Sequence, residues 1–401
     1  MKNKYMPTAI SLYINYFVHG MGVIILAQNM DALGLQWGTD DLGVAIVISS
    51  LGIGRLLVLL VSGALSDKFG RRPFVYLGMS TYILFFIGIL FSPSIGIAYV
   101  FGILAGIANS FLDSGTYPAL MESFPESPGT ANVIIKAFIS GGQFALPLLV
   151  GVIVSTGAWY GWTFILAIVI LIVNAVFLFN KPFPSQEVKQ SPENDEIIEK
   201  AKEIDKPVAK SKFAIEGICF ILYGYIAQAT FYLVSQWLTK YGAKIAGMGD
   251  TGSRALISYY SIGSLACVFL TAALVKKKFK PTQFLVVYTF ISFVSLLVLW
   301  MFPTPIVCII SAFVIGFSAA GGVMQLGLTV MSEMFPAGKG KVTGIFYTAG
   351  SIASFTIPLI TGQLSKTNIA NIILLDVGIA FVGFVLAIII YFRYNRVFSK
   401  N

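Results

Sequence analysis

Gly63-Ala64-Leu65-Ser66-Asp67-Lys68-Phe69-Gly70-Arg71-Arg72-Pro73 sets one acid and three cations between two long apolar runs. Charges at that density do not sit in hydrocarbon, so the segment reads as a short loop between two membrane helices. Gly63 and Gly70 let two helix ends approach, while Asp67 and the arginines bind each other or neighbouring helix termini.

The rest of the chain fits that reading. Its 401 residues are 57% hydrophobic and 11% charged, whereas a soluble domain carries about a quarter charged residues. Mean hydropathy is +0.83. The sequence predicts an all-α membrane protein with twelve transmembrane helices, at 7–31, 41–65, 74–92, 95–122, 131–156, 160–180, 212–240, 252–275, 282–301, 304–334, 342–364 and 369–393. Each can cross about 30 Å of hydrocarbon at about 1.5 Å per residue. Residues 181–211, rich in Lys, Glu, Pro and Ser, form a cytoplasmic linker with a short helix around Asp195–Glu203. It separates two six-helix bundles, 1–180 and 212–401.

The net charge of +9 reports topology and implies no nucleic-acid partner. With both termini on one side, 21 Lys/Arg fall on that side, 4 on the other, and Arg55 and Lys136 inside spans. This bias places both termini in the cytoplasm and the chain in the cell (inner) membrane. Contact with anionic headgroups of the bilayer follows as a side effect. Cys219, Cys267 and Cys308 sit in separate spans and define no disulfide or metal framework. With one histidine, no nucleotide-binding loop and no metal cluster, the chain is expected to be no enzyme and to need no cofactor or metal. The first apolar segment is a full span rather than a removable signal.

The halves resemble each other. Shifted by 211 positions, 122–151 lies over 333–362 without a gap. Glu122 then meets Glu333, Pro125 meets Pro336, Gly129 meets Gly340, Ser140 meets Ser351, Pro147 meets Pro358 and Gly151 meets Gly362. Such a parallel repeat puts a site between the halves near the midplane, reached by rocking one against the other. The second-half counterpart of the opening loop, Lys276-Lys277-Lys278-Phe279-Lys280-Pro281, keeps cations but lacks the Asp and the glycines.

Together these features resemble the major facilitator superfamily. Gly63, Leu65, Asp67, Gly70, Arg71 and Arg72 match its signature G-x-L-x-D-x-x-G-R-[RK] at the turn between spans two and three. More narrowly, VHGMGV (18–23), ISSLGIGR (48–55), ANSFLD (108–113), ESFPESPGTAN (122–132) and FYLVSQWL (231–238) resemble a small branch of bacterial inner-membrane transporters. The resemblance implies a monomeric secondary transporter, with hydroxylated ring acids of the shikimate type as the substrate class. It also implies that Asp67 and Arg71 latch the two halves on the cytoplasmic side. Glu122 is a local partner for Arg71 or Arg72, so the gating set is Gly63, Asp67, Gly70, Arg71 and Glu122. Span four lacks an arginine common in the superfamily. Gly141, Gly142, Pro147 and Gly151 do not match the spacing of the drug-exporter motif. Both departures weigh against the rival reading, a drug or other solute exporter exchanging its cargo for protons.

Ionisable residues inside spans need a partner or a wet cavity. His19, Arg55 and Asp113 fall at similar depths, roughly 14–18 Å from the cytoplasmic end at about 1.5 Å per residue. Arg55–Asp113 is the expected ion pair. Lys136 is shallower, and its stem can snorkel. Asn15 shares a face with His19, and Asn109 shares one with Asp113; Gln143 faces with Lys136. The second half offers neutral stripes: Tyr225, Gln228, Tyr232 and Gln236 in span seven, Gln325 in span ten, and Thr343, Tyr347, Ser351 and Ser354 in span eleven. The serines are expected to bond helix to helix. The expected mechanism is proton-coupled symport of a small organic anion. Arg55, Lys136 and His19 hold the anionic group. Asn109, Gln143, Gln228, Tyr232, Gln236, Gln325 and Tyr347 complete the site, and Asp113, with His19 second, takes the proton.

Overall fold

The computed structural model describes residues 3–126, 128–184, 213–275, 280–320, 323–335 and 339–398. The expected linker helix and the lysines at 276–278 lie outside these residues. The described chain is nearly all helical. Its helices are α1 (Met6–Gln28), α2 (Met30–Trp37), α3 (Asp41–Phe69), α4 (Arg71–Phe91), α5 (Ile95–Ser123), α6 (Pro128–Ser155) and α7 (Trp162–Leu178). A π-helical turn, Phe213–Gly217, leads into α8 (Ile218–Lys244). Then follow α9 (Asp250–Val275), α10 (Pro281–Met301), α11 (Pro305–Ile315), a second π-turn at Gly316–Ala320, α12 (Val323–Met334), α13 (Lys339–Ser365) and α14 (Ala370–Phe398). Among the described residues eleven spans are long and apolar enough to cross a membrane, counting α11 to α12 as one; α7, with 17 residues, is shorter.

The loop between α3 and α4 shrinks to one residue. Gly70 adopts φ +93°, which a side-chain-bearing residue avoids, and both flanking helices run up to it. Most boundaries shift by a few residues, and two spans end or break for a visible reason. Span one stops at Gln28 because the Asn29 amide turns back to the Ile25 carbonyl at 2.9 Å, and the chain starts the short helix α2. Span ten is interrupted by the π-turn, where Gly316 packs against the Tyr260 backbone.

Backbone contact between helices explains several glycines. A Cβ on Gly54 would lie 1.9 Å from the Ile103 carbonyl oxygen, and one on Gly106 2.0 Å from that of Leu51. In the second half, Gly263 would meet the Phe313 carbonyl at 2.0 Å and Gly316 that of Tyr260 at 1.9 Å. These pairs join α3 to α5 and α9 to α11 at positions separated by almost the same offset as the sequence repeat. The helices before residue 180 pack mainly on one another, as do those after 212; the two sets meet along α3 with α13 and α6 with α9.

One end of the bundle carries the chain termini. There Asn3 donates to the Ser123 carbonyl and Thr8 to that of Pro182, and Tyr394 donates to Glu333. The other end carries α2, whose Gln36 and Trp37 both donate to the Ser92 carbonyl.

Candidate functional site

A cavity of about 560 Å³ lies between the two sets of helices. It runs from His19 and Gln143, at mid-depth, to Gly63 and the exposed Met121, close to the terminus-bearing ends of α3 and α5. Its volume falls in the range of small-molecule sites, about 300–1,000 Å³.

The first half supplies the charge. Arg55 Nη2 sits 3.3 Å from Asp113 Oδ2, and Tyr16 donates to Asp113 Oδ1 at 2.6 Å. The Arg55 guanidinium also lies over the Tyr347 ring, 5.5 Å from its centroid, which ties the pair to α13 in the other half. Its Nε is buried with no partner among the described residues. A guanidinium held by one acid at one nitrogen retains donors for a second anion. His19 Nδ1 is 2.5 Å from the Tyr82 hydroxyl, and the His19 ring meets Tyr16 edge-on. The chain Tyr82–His19–Tyr16–Asp113 therefore connects two titratable groups through phenols and ring contact. Asn15 turns away, accepting from Asn174 of α7 at 2.7 Å. Lys136, shallower than Arg55, lines the cavity.

Nine of the ten expected substrate-binding residues line the cavity: His19, Arg55, Asn109, Lys136, Gln143, Gln228, Tyr232, Gln325 and Tyr347. Gln236 does not. It is buried one turn beyond Tyr232, with neither amide atom partnered among the described residues. The helical stripe extends past the cavity's closed end, so one face of α8 need not stay in one space. Tyr225 leaves the stripe too, bonding Thr356 at 2.8 Å. Ser351 and Ser354 donate to carbonyls of their own helix, and Ser354 also lies within bonding reach of the Tyr232 hydroxyl of α8.

The opening loop forms one ionic cluster. Arg71 bonds Asp67 at 2.5 Å, Glu122 at 3.0 Å and Ser66 at 3.2 Å. These named ties all join parts of the first half, whereas the resemblance implies a latch between halves. Arg72 donates to the Phe179 carbonyl.

The opposite end is closed by contacts between halves, which the sequence reading counted only as topology. Lys240 of α8 bonds Asp31 at 2.8 Å and also Asp41, with Lys244 at 3.7 Å from Asp41. Arg254 donates to the Gln28 carbonyl at 2.6 Å, Gln28 to Thr239 at 3.1 Å, and Lys366 lies 3.6 Å from Asp40. Burial acts to raise the Asp31 pKa, but the Lys240 hydrogen bond and charge outweigh it and hold the carboxyl below its usual value. The sequence reading also passed over the aromatic walls, Tyr16, Tyr117 and Phe231, because tyrosine and phenylalanine are common in every span. Asp376, alone in the apolar run of α14, was visible in the sequence and was likewise not singled out.

Residues 12–358 match the Major Facilitator Superfamily. The chain is 55% identical over 396 residues to the inner membrane transport protein YdiM of Escherichia coli, covering 99% of this chain and 96% of that protein. It is 21% identical over 390 residues to a gentisate transporter of Corynebacterium glutamicum, covering 95% and 86%. Among solved structures, a D-xylose-proton symporter superposes with a TM-score of 0.78 at 13% identity, covering 96% of this chain and 97% of that one.

Proposed function

Since the chain belongs to the Major Facilitator Superfamily, we propose that this transporter imports a small ring carboxylate by alternating access, in symport with protons. The observation that carries the reading is the Arg55 guanidinium, held between the Asp113 carboxylate and the Tyr347 ring on the wall of a cavity. Lys136 adds a second cation, and His19, buried beside both, adds a hydrogen-bonding imidazole. Tyr16, Tyr117, Phe231, Tyr232 and Tyr347 supply flat apolar faces for a ring, and Asn109, Gln143, Gln228 and Gln325 supply partners for its hydroxyls. The distant gentisate transporter, named for a hydroxylated aromatic acid, supports the same class.

The mechanism follows from competition. A substrate carboxylate that takes donors of Arg55 weakens the arginine's hold on Asp113. Loss of that cation favours protonation of the buried acid, with Tyr16 keeping its oxygen in place. Proton and substrate then leave together when the bundle reopens. Arg55 contacts Tyr347 of the other half, so its occupancy is transmitted to the α3–α13 seam about which the halves rock. In this reading both termini are cytoplasmic, the two bundles meet as 1–180 and 212–401, the monomer is the working unit, and the conformation faces inward.

The test uses purified full-length protein. Thermal stability is measured with gentisate, benzoate, shikimate and quinate, with D-xylose and tetraphenylphosphonium as neutral and cationic controls. One or more of the carboxylates is expected to stabilise the wild type and to lose its effect in Arg55→Ala. In proteoliposomes, Asp113→Asn is expected to retain binding and lose gradient-driven accumulation. Stabilisation by none of the acids, or an effect that survives Arg55→Ala, refutes the anion site. Stabilisation by the cation alone favours the exporter.

A further inference from the structure

Asp376 is fully buried in α14, at 0% exposure, and neither carboxylate oxygen has a hydrogen-bond partner among the described residues. The Thr230 hydroxyl of α8 is set beside it without closing a well-formed bond, and the Tyr260 phenol of α9, also without a partner among the described residues, lies within electrostatic reach. α10 packs on the same helix with phenylalanines, Phe293 against Phe381 and Phe290 against Phe384, and brings the neutral hydroxyls of Thr289 and Ser292 close to Ala380 and Gly383, one to two turns from Asp376. Among the described residues no lysine, arginine or second acid is placed against this carboxyl. An ionised carboxylate without a counter-charge is costly in such surroundings, and the group avoids that cost by taking a proton.

A second observation gives the proton a route. Beside Thr230 lies a chamber of about 30 Å³, separate from the central cavity. An ordered water needs about 10–15 Å³ of such space, and polar partners. The chamber supplies partners in Tyr223 and Ser292, whose buried hydroxyls are otherwise unpartnered, and in Ser318 of the π-turn. Ala227 and Ala319 line both this chamber and the central cavity. Two alanines are thus shared between the two spaces, and one belongs to a π-turn, a local distortion that recurs at functional positions.

We propose that Asp376 is a second proton-binding site, lying wholly within the second half, which carries its proton in this conformation and exchanges it with water of the central cavity through the Thr230 chamber. The site is distinct from Asp113 and goes beyond the reading of the central cavity. Its test needs no substrate, so it stands or falls separately.

Infrared difference spectra of the reconstituted full-length protein, stepped from mildly acidic to alkaline buffer, report the C=O stretch of protonated carboxyls. Wild type is expected to lose one such band on alkalinisation, with the usual downshift in D₂O. Asp376→Asn, a near-isosteric change, is expected to lack that band entirely, and Asp113→Asn to retain it. Ala319→Leu, which thickens the shared wall, is expected to slow its deuterium shift. A band unchanged in Asp376→Asn overturns the assignment, and so does one that persists at every pH. A deuterium shift unaffected by Ala319→Leu overturns the route. Loss of the band when sodium replaces choline at constant pH overturns the proton in favour of a sodium ion.

Discussion

Replacing Lys240 with alanine is expected to open the end of the bundle that is closed here. Lys240 is 8% exposed and bridges Asp41, 21% exposed, and Asp31, 76% exposed. A charge-assisted hydrogen bond in the setting of Asp41 contributes about 1.5 kcal/mol net. The exposed Asp31 adds roughly 0.5 kcal/mol, since solvent screens such pairs. A strut of about 2 kcal/mol corresponds to a shift of roughly thirtyfold between the closed and open forms. The contact joins α8 to α2 and α3, so it exists only while the halves meet at this end. Spin labels at Leu35 and Thr367, both exposed and on opposite halves, read the separation in reconstituted protein by double electron–electron resonance. The variant is expected to populate a longer distance that is minor in wild type, with thermal stability little changed. An unaltered distance distribution in a folded Lys240→Ala protein refutes the strut.

Further outcomes follow from the same structure. The Asp31 carboxyl is lowered in the closed form, so its contribution to closure is present above the ordinary carboxylate range and is lost as pH falls through the lowered value. The same spin-label distance should therefore lengthen modestly on acidification, and this part of the response should vanish in Asp31→Asn. Gly54→Val and Gly263→Val should each lower the unfolding temperature in detergent, at a cost of about 1–3 kcal/mol or more, because each Cβ would run into a carbonyl of the partner helix. Gly151→Val, where nothing lies within 4 Å, should not.

The fold was readable because the bilayer allows few solutions. A span must be long and apolar, so the helices stood out as runs, and the opening loop stood out as charge between them. The repeat was readable for a related reason. Glu122 and Pro147 are costly inside or beside a membrane helix, so their recurrence at one offset stands out from apolar matches. The central cavity was readable as far as its charges, since Arg55, Asp113, His19 and Lys136 all reach it. Three features escaped. Asn29 ends α1 through a side-chain bond to Ile25, which hydropathy does not register. Gln236 shares the helical face of Gln228 and Tyr232, but where a cavity ends is set by the opposing helices. Lys240 looked like a topological charge because its partners, Asp31 and Asp41, lie about 200 positions away and on the other half.

The two ionic clusters at the ends of the bundle should respond differently to removal, and this separates gating from folding. The named contacts of Arg71 reach Asp67, Ser66 and Glu122, so they brace the α3–α4 corner against α5 within one half. Arg71→Ala leaves Glu122, whose Oε2 already lacks a partner, as a mostly buried acid without its cation. Stranding one member of such a pair costs about 2–3 kcal/mol, less than the full buried-pair value because Glu122 keeps some contact with water. The expected result is a lower unfolding temperature with no lengthening of the Leu35–Thr367 distance. Arg71→Lys should restore part of the stability, since a lysine reaches one acid but lacks the fork that spans two. If Arg71→Ala instead moves that distance as Lys240→Ala does, the cluster is a latch between conformations, as the superfamily resemblance implies, rather than a brace within one half.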